Sequence, residues 1–299
     1  MILQTIKQIS CLLCLCCFLQ QSGFSQDDKD KPAYTLFDNT GKQISYGELI
    51  KRLSGYDVIF LGELHNCPIT HWLEFEITRS IYNIHKDQLM LGAEMFESDN
   101  QLIFDEYMQQ KISYDRFEAE ARLWDNYRTD YYPVVFFAKE HHIPFIATNI
   151  PRRYANIVKN KGFEALDSLS EEAKRYIAPL PIDFEYDEAQ SAAAFSMMNM
   201  MGGRRAGDNR KLAQAQAIKD ATMGWFIARN IKNKFLHING SYHSNRQGGI
   251  IPYLLRYRPN TSIVTVTSVR QESIRKLDDD HKGLADFYIC VPEDMVNSY

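Results

Sequence analysis

The chain has 299 residues, of which 45% are hydrophobic and 24% charged, with a formal net charge of −4. That apolar content is enough for one large buried core. The mildly acidic balance excludes the basic footprint of a nucleic-acid-binding chain, and there is no internal repeat or low-complexity tract.

The first 25 residues read as a secretory signal segment. Lys7 gives a weakly basic start, residues 9–19 are apolar, and Ser22-Gly23-Phe24-Ser25 offers small residues for cleavage. The apolar run is too short for a comfortable membrane span. Four of the six cysteines, Cys11, Cys14, Cys16 and Cys17, lie within it. A lipid anchor on one of them is an alternative, although Leu13-Cys14-Leu15-Cys16-Cys17 lacks the small residues expected just before a lipidated cysteine. Only Cys67 and Cys290 then remain, and whether they pair is left open. Residues 26–33 form a charged linker, and residues 34–299 the globular part.

A first strand is expected over 34–37, followed by a turn and a helix capped by Ser45 that runs to Leu53. Residues 58–61 are a short, partly β-branched apolar run, the pattern of a buried parallel strand. The run stops at Gly62, and Glu63 and His65 follow. In extended chain their side chains share one face, beyond the carboxyl end of a strand, where open α/β sheets bind ligands. Pro68 starts a helix in which Trp72, Phe75, Glu76 and Arg79 recur at helical spacing. A second strand over 88–93 leads into Glu94 and Glu97, and residues 99–122 read as two helices. Pro133 opens another helix to about residue 142. A third core strand over 143–148 ends in Asn149-Ile150-Pro151-Arg152-Arg153. Residues 156–207 carry helical signals only. A helix over 208–230 precedes a strand over 235–238, which runs into Asn239-Gly240-Ser241-Tyr242-His243. A helix over 250–257 and strands over 262–269 and 287–291 complete the chain.

Alternating strands and helices imply right-handed crossovers. The expected fold is therefore α/β, a parallel β-sheet flanked by helices. Residues 99–122 and 156–207 are read as helical insertions that make a small helical domain. Parallel strands deliver their carboxyl ends to one edge, so Glu63, His65, Glu94 and His243 are expected to meet there. Two carboxylates and two imidazoles suit a divalent metal, or a water held between a general base and an electrophile. A merely structural hydrogen-bond network beneath loops is the competing reading.

Leu61-Gly62-Glu63-Leu64-His65, Leu91-Gly92-Ala93-Glu94-Met95-Phe96, the Trp124 to Pro133 segment and Ala147-Thr148-Asn149-Ile150-Pro151-Arg152 resemble the ChaN family of haem-binding lipoproteins. The Ala213 to Met223 segment and Asn239-Gly240-Ser241-Tyr242-His243 do so as well, and the motifs follow the family's order. The family's wider clan takes in Tiki/TraB proteins and erythromycin esterases. The resemblance implies haem as cofactor, bound across a homodimer through a tyrosine, in bacterial iron uptake at the cell envelope. It thereby implies a partner in outer-membrane uptake machinery and a place in the periplasm or at the outer membrane. Tyr132 is the expected axial ligand, with Tyr131 and Tyr127 as rivals, and tyrosinate suits ferric haem. Arg152 and His243 are further candidates to hold the cofactor, Arg152 by clamping a propionate. The methionine-rich run at 197–201 is a candidate haem face, although packing is the plainer role. The alternative is a hydrolase of the same clan, an esterase or peptidase assisted by metal or by Glu63, His65, Glu94 and His243.

Overall fold

The computed structural model describes residues 31–186 and 209–299. The expected signal segment, most of the expected linker and the methionine-rich run lie outside the described residues. Residues 34–299 form one structural unit.

Its centre is a seven-stranded sheet: β1 (Thr35–Asp38), β2 (Val58–Glu63), β3 (Leu89–Glu97), β4 (Phe145–Asn149), β5 (Lys234–Gly240), β6 (Ile263–Gln271) and β7 (Phe287–Pro292). The spatial order is β1-β7-β6-β2-β5-β3-β4. All pairings are parallel except that of β1, which lies antiparallel on β7 at the edge. The helices are α1 (Tyr46–Leu53), α2 (Pro68–His85), α3 (Gln101–Met108), α4 (Tyr114–Glu120), α5 (Tyr132–Glu140), α6 (Arg152–Lys161), α7 (Glu171–Lys174), α8 (Asn209–Asn230) and α9 (Ile250–Tyr257). Among the described residues, no helix is long and apolar enough to cross a membrane.

β2 shows why the sheet is central. All six of its residues are buried, and successive side chains point to opposite faces. Ile59 and Leu61 join the core that holds Leu73 and Ile77 of α2 and Val134 and Val135 of α5. Val58 and Phe60 join the one that holds Met223 and Ile227 of α8 and Leu254 of α9. Each such side chain contributes about 1.5–3 kcal/mol relative to exposure. The helix signals are locally sound. Ser45 Oγ accepts from the Glu48 amide at 3.1 Å, a standard N-terminal cap, and α2 and α5 each carry a proline in the first turn.

Three local features depart from the sequence reading. β3 continues to Glu97, with a register shift against β4 between Ala93 and Glu97, so Glu94 stands within the strand. An irregularity of this kind re-aims side chains at a sheet rim. Residues Tyr127–Tyr131 form a π-helical turn ahead of α5, a distortion common near functional sites. In α2 the face marked by Trp72 is turned outward: Trp72 is 48% exposed, whereas His71 and Glu74 are buried.

Candidate functional site

The carboxyl edge of β2, β5 and β3 gathers the polar residues. Glu63 ends β2, and His65 follows on the next turn. His65 Nδ1 donates to Glu63 Oε1 at 2.5 Å, which leaves Nε2 as the free face of the imidazole. Its ring meets Trp124 edge-on, with centroids 5.0 Å apart. Glu63 Oε1 also accepts from the Tyr131 hydroxyl at 2.7 Å.

Glu94 lies on the neighbouring side. Its Oε2 accepts the Gly240 amide at 2.8 Å, and its Oε1 lies 3.2 Å from His243 Nε2. His243 Nδ1 in turn donates to Asp220 Oδ1 of α8 at 2.5 Å. Gly240 joins the two halves. A Cβ there would lie 2.7 Å from His65 Nε2 and 3.4 Å from Glu94 Oε2, so glycine is what lets His65 approach the strand end. Glu63, His65, Glu94 and His243 therefore do meet at one edge, as their positions after the apolar runs predict.

The charges follow from burial and pairing. Burial disfavours the His243 imidazolium, but the Glu94 and Asp220 carboxylates outweigh that and push it up to about 10. Burial also opposes the Glu94 carboxylate, yet His243 and His65 hold it well below the usual range. The Asp220 carboxyl is raised by burial, which His243 only partly offsets. Burial lowers His65, but its hydrogen bond to Glu63 and that carboxylate's charge raise it overall. His237, buried between Thr148 and Asn239, is lowered by burial to about 4 and stays neutral.

Several contributors were not singled out from the sequence. Behind Glu63, His71 of α2 places Nδ1 3.1 Å from Glu74 Oε2 and 3.5 Å from Glu63 Oε2. Its Nε2 lies 3.2 Å from the His65 carbonyl and 3.3 Å from Asp130 Oδ2. Burial opposes the His71 charge, but Glu74, Glu63 and Asp130 together raise it to about 10. Asn126 Nδ2 donates both to the His65 carbonyl, at 3.0 Å, and to Asp130 Oδ2, at 2.7 Å. His71 and Glu74 gave only a weak signal, two polar residues three apart and so on one helix face. Asp220 gave another, the one acid in the Ala213 to Met223 segment.

The remaining candidates sit elsewhere. Tyr132 begins α5 and packs its ring against Tyr114 and Phe136, at centroid distances of 5.2 and 5.6 Å. Unlike Tyr131, it has no hydrogen bond to the Glu63 group among the described residues. Arg152 is exposed at the start of α6, whereas Arg153 pairs with Asp99 at 2.5 Å. Glu97 binds Arg122 at 2.8 Å. Asn149 donates to the Glu94 carbonyl at 2.9 Å, and His141 lies on Phe137 and Tyr82. Cys67 and Cys290 are both buried free thiols.

No curated protein matches the chain. Among solved structures, ChaN of Campylobacter jejuni, in a structure of cofacial haem binding, is similar with a TM-score of 0.66 and 20% identity, over 88% of this chain and 97% of that one. A Bacillus cereus protein follows with a TM-score of 0.49 and 11% identity, over 87% and 95%. An erythromycin esterase in its open conformation gives 0.45 and 10%, over 86% and 83%. At these identities the likeness is one of fold, an α/β architecture shared with ChaN. The family described as haem-binding uptake, Tiki superfamily, ChaN matches residues 49–254. By that match the chain belongs to this family.

Proposed function

We propose that the chain is an exported haem-binding protein of bacterial iron uptake, with Tyr132 as the residue that holds the iron. A haem site needs a donor atom that an incoming ring can reach and an apolar surface beside it. Of the three tyrosines at the start of α5, Tyr127 and Tyr131 are 2% and 3% exposed. Tyr131 is also committed to Glu63. Tyr132 is half-buried, and its neighbour Phe136 is 42% exposed. That half-buried tyrosine packed beside an exposed aromatic ring is the observation that carries the reading. When bound, the iron would take an oxygen donor from Tyr132. Arg152, exposed at a helix start, is the cation we assign to a propionate, and His243, in the strand-end group, is the further residue we assign to the cofactor.

The signal-like residues 1–25 support export to the periplasm or outer membrane, and the cysteines within them would allow a lipid anchor. Membership of an uptake family supports delivery to outer-membrane machinery. A half-exposed aromatic pair such as Tyr132 and Phe136 supports closure by a second copy of the chain. The test is hemin titration of the mature protein beside its Tyr132→Phe variant. The variant is expected to lose affinity by about tenfold or more, equivalent to roughly 1.4 kcal/mol. Equal affinities would remove Tyr132 from the site.

One observation favours a second reading, hydrolysis. His65 Nε2 and Glu94 Oε2 both converge on Gly240, and Glu63 orients the imidazole through Nδ1, as a general base requires. Because Glu63 raises the affinity of His65 for its proton, hydrolysis would increase with pH until that proton is lost. Loss of ester or peptide cleavage in His65→Ala would support the reading. An inert wild-type protein, with and without added divalent metal, would exclude it.

A further inference from the structure

We propose that Glu63, His71 and Glu74 form a binding site for a divalent transition-metal ion, separate from the Glu94–His243 pair. A carboxylate oxygen from each glutamate and one imidazole nitrogen lie within 4.8 Å of one another, and all three residues are buried. Proximity alone would not make a site, since buried acids can neutralise one another. The hydrogen bonding is what points to a cation.

Glu63 Oε2 and Glu74 Oε1 are both buried and have no hydrogen-bond partner. Leaving a buried carboxylate oxygen unpaired is costly. Oε2 is left over because its twin is saturated: Glu63 Oε1 accepts from both Tyr131, at 2.7 Å, and His65, at 2.5 Å. The carboxylate is thus fixed with its unused oxygen 3.5 Å from His71 Nδ1.

His71 is oriented in the same way. Its Nε2 faces the His65 carbonyl at 3.2 Å and Asp130 at 3.3 Å, so Nδ1 is turned toward the two glutamates. Metal-binding imidazoles are held in this manner by a carbonyl or carboxylate on the ring nitrogen that does not bind the ion. Asp130 is itself held by Asn126 and by Ser298 Oγ, each at 2.7 Å. His71 and Glu74 are three residues apart on α2, a spacing that places both on one helix face.

The donor set names the class of ion. Two carboxylates offset a 2+ charge, and an imidazole among them favours Zn(II), Mn(II), Fe(II) or Co(II) over calcium, which takes oxygen ligands. Binding displaces the proton on His71 Nδ1 and the one that burial and Glu63 keep on the Glu74 carboxyl, and both leave to solvent.

The proposal does not rest on the haem reading, and its test uses no hemin. The full mature chain, stripped with a chelator, is titrated with Co(II) and followed by its d–d absorption, with Zn(II) as competitor. One equivalent is expected to bind to the wild type. Glu74→Gln is expected to weaken binding by roughly 100-fold, the upper end of what even an outer partner of a metal site costs. Glu94→Gln is expected to leave it within about threefold, less than the tenfold that 1.4 kcal/mol represents. Retained binding in Glu74→Gln, loss in Glu94→Gln, or no binding to the wild type would each overturn the site. Should Glu74→Gln fail to fold, X-ray absorption of the Co(II)-loaded wild type decides the matter. One imidazole with carboxylates supports the site, and two imidazoles would move the ion to His65 and His243.

Discussion

Two clusters of acids and imidazoles stand side by side at the carboxyl edge of the sheet, and they differ in whether their hydrogen bonds close. In the Glu94 cluster both carboxylate oxygens are engaged, one by the Gly240 amide and one by His243, and His243 is anchored on Asp220. In the Glu63 cluster two buried carboxylate oxygens, Glu63 Oε2 and Glu74 Oε1, are left without partners. The closed network supplies its own counter-charge, an imidazolium between two carboxylates. The open one also holds an imidazolium, His71, but it leaves those two oxygens without a donor, and so it is the place where an ion from outside would be stabilised.

The difference predicts how each cluster fails. His243→Ala should give the largest effect, since it strands Glu94 and Asp220 as buried, uncompensated acids. Removing one partner of a buried pair costs roughly 3–5 kcal/mol, so the denaturant midpoint should drop sharply. A loss below about 1 kcal/mol, a typical surface-pair value, would mean that the network is not closed by His243.

The same histidine sets a pH dependence. Its folded-state pKa is raised from 6.5 to about 10. Its contribution is therefore complete below about 6.5, the unfolded value, and is lost as pH rises through the folded one. Chemical denaturation should show wild-type stability falling between neutral pH and about 10, and this slope should flatten in His243→Ala. The same slope in both proteins would assign the titration to another group.

Glu94→Gln keeps an acceptor for Gly240 but removes the charge that His243 needs. A cost of about 1.5–3 kcal/mol is expected, the range for hydrogen bonds to charged groups. A neutral result would show that Asp220 alone supports the imidazolium. In the open cluster, Tyr131→Phe removes a single bond to Glu63 Oε1 and should cost about 1 kcal/mol. Its more telling readout is the His65 ring: with one donor fewer on Glu63, the proton-bound form of His65 should become stronger, visible as a higher NMR titration midpoint. An unchanged midpoint would separate Tyr131 from the site.

Much of this edge was legible in the sequence, for a physical reason. Strands buried on both faces are largely apolar, so each strand of the sheet coincides with an expected run, and a polar residue just after a run is placed near the rim. Glu63, His65, Glu94 and His243 were found in that way. The helical contributors were not, because a polar residue in a helix ordinarily faces water. α2 breaks that rule by exposing Trp72 while burying His71 and Glu74. Asp220 is hidden for a like reason, in a helix whose small residues pack against neighbours on several sides. The extension of β3 past Ala93 depends on its register with β4, a tertiary property that no local pattern encodes.

The most direct test of the central claim is the absorption spectrum of the purified mature protein as hemin is added. Haem binding through Tyr132 predicts a saturable Soret shift at micromolar hemin, with the charge-transfer bands of a tyrosinate-bound ferric iron that disappear in Tyr132→Phe. A spectrum no different from hemin in buffer would contradict it.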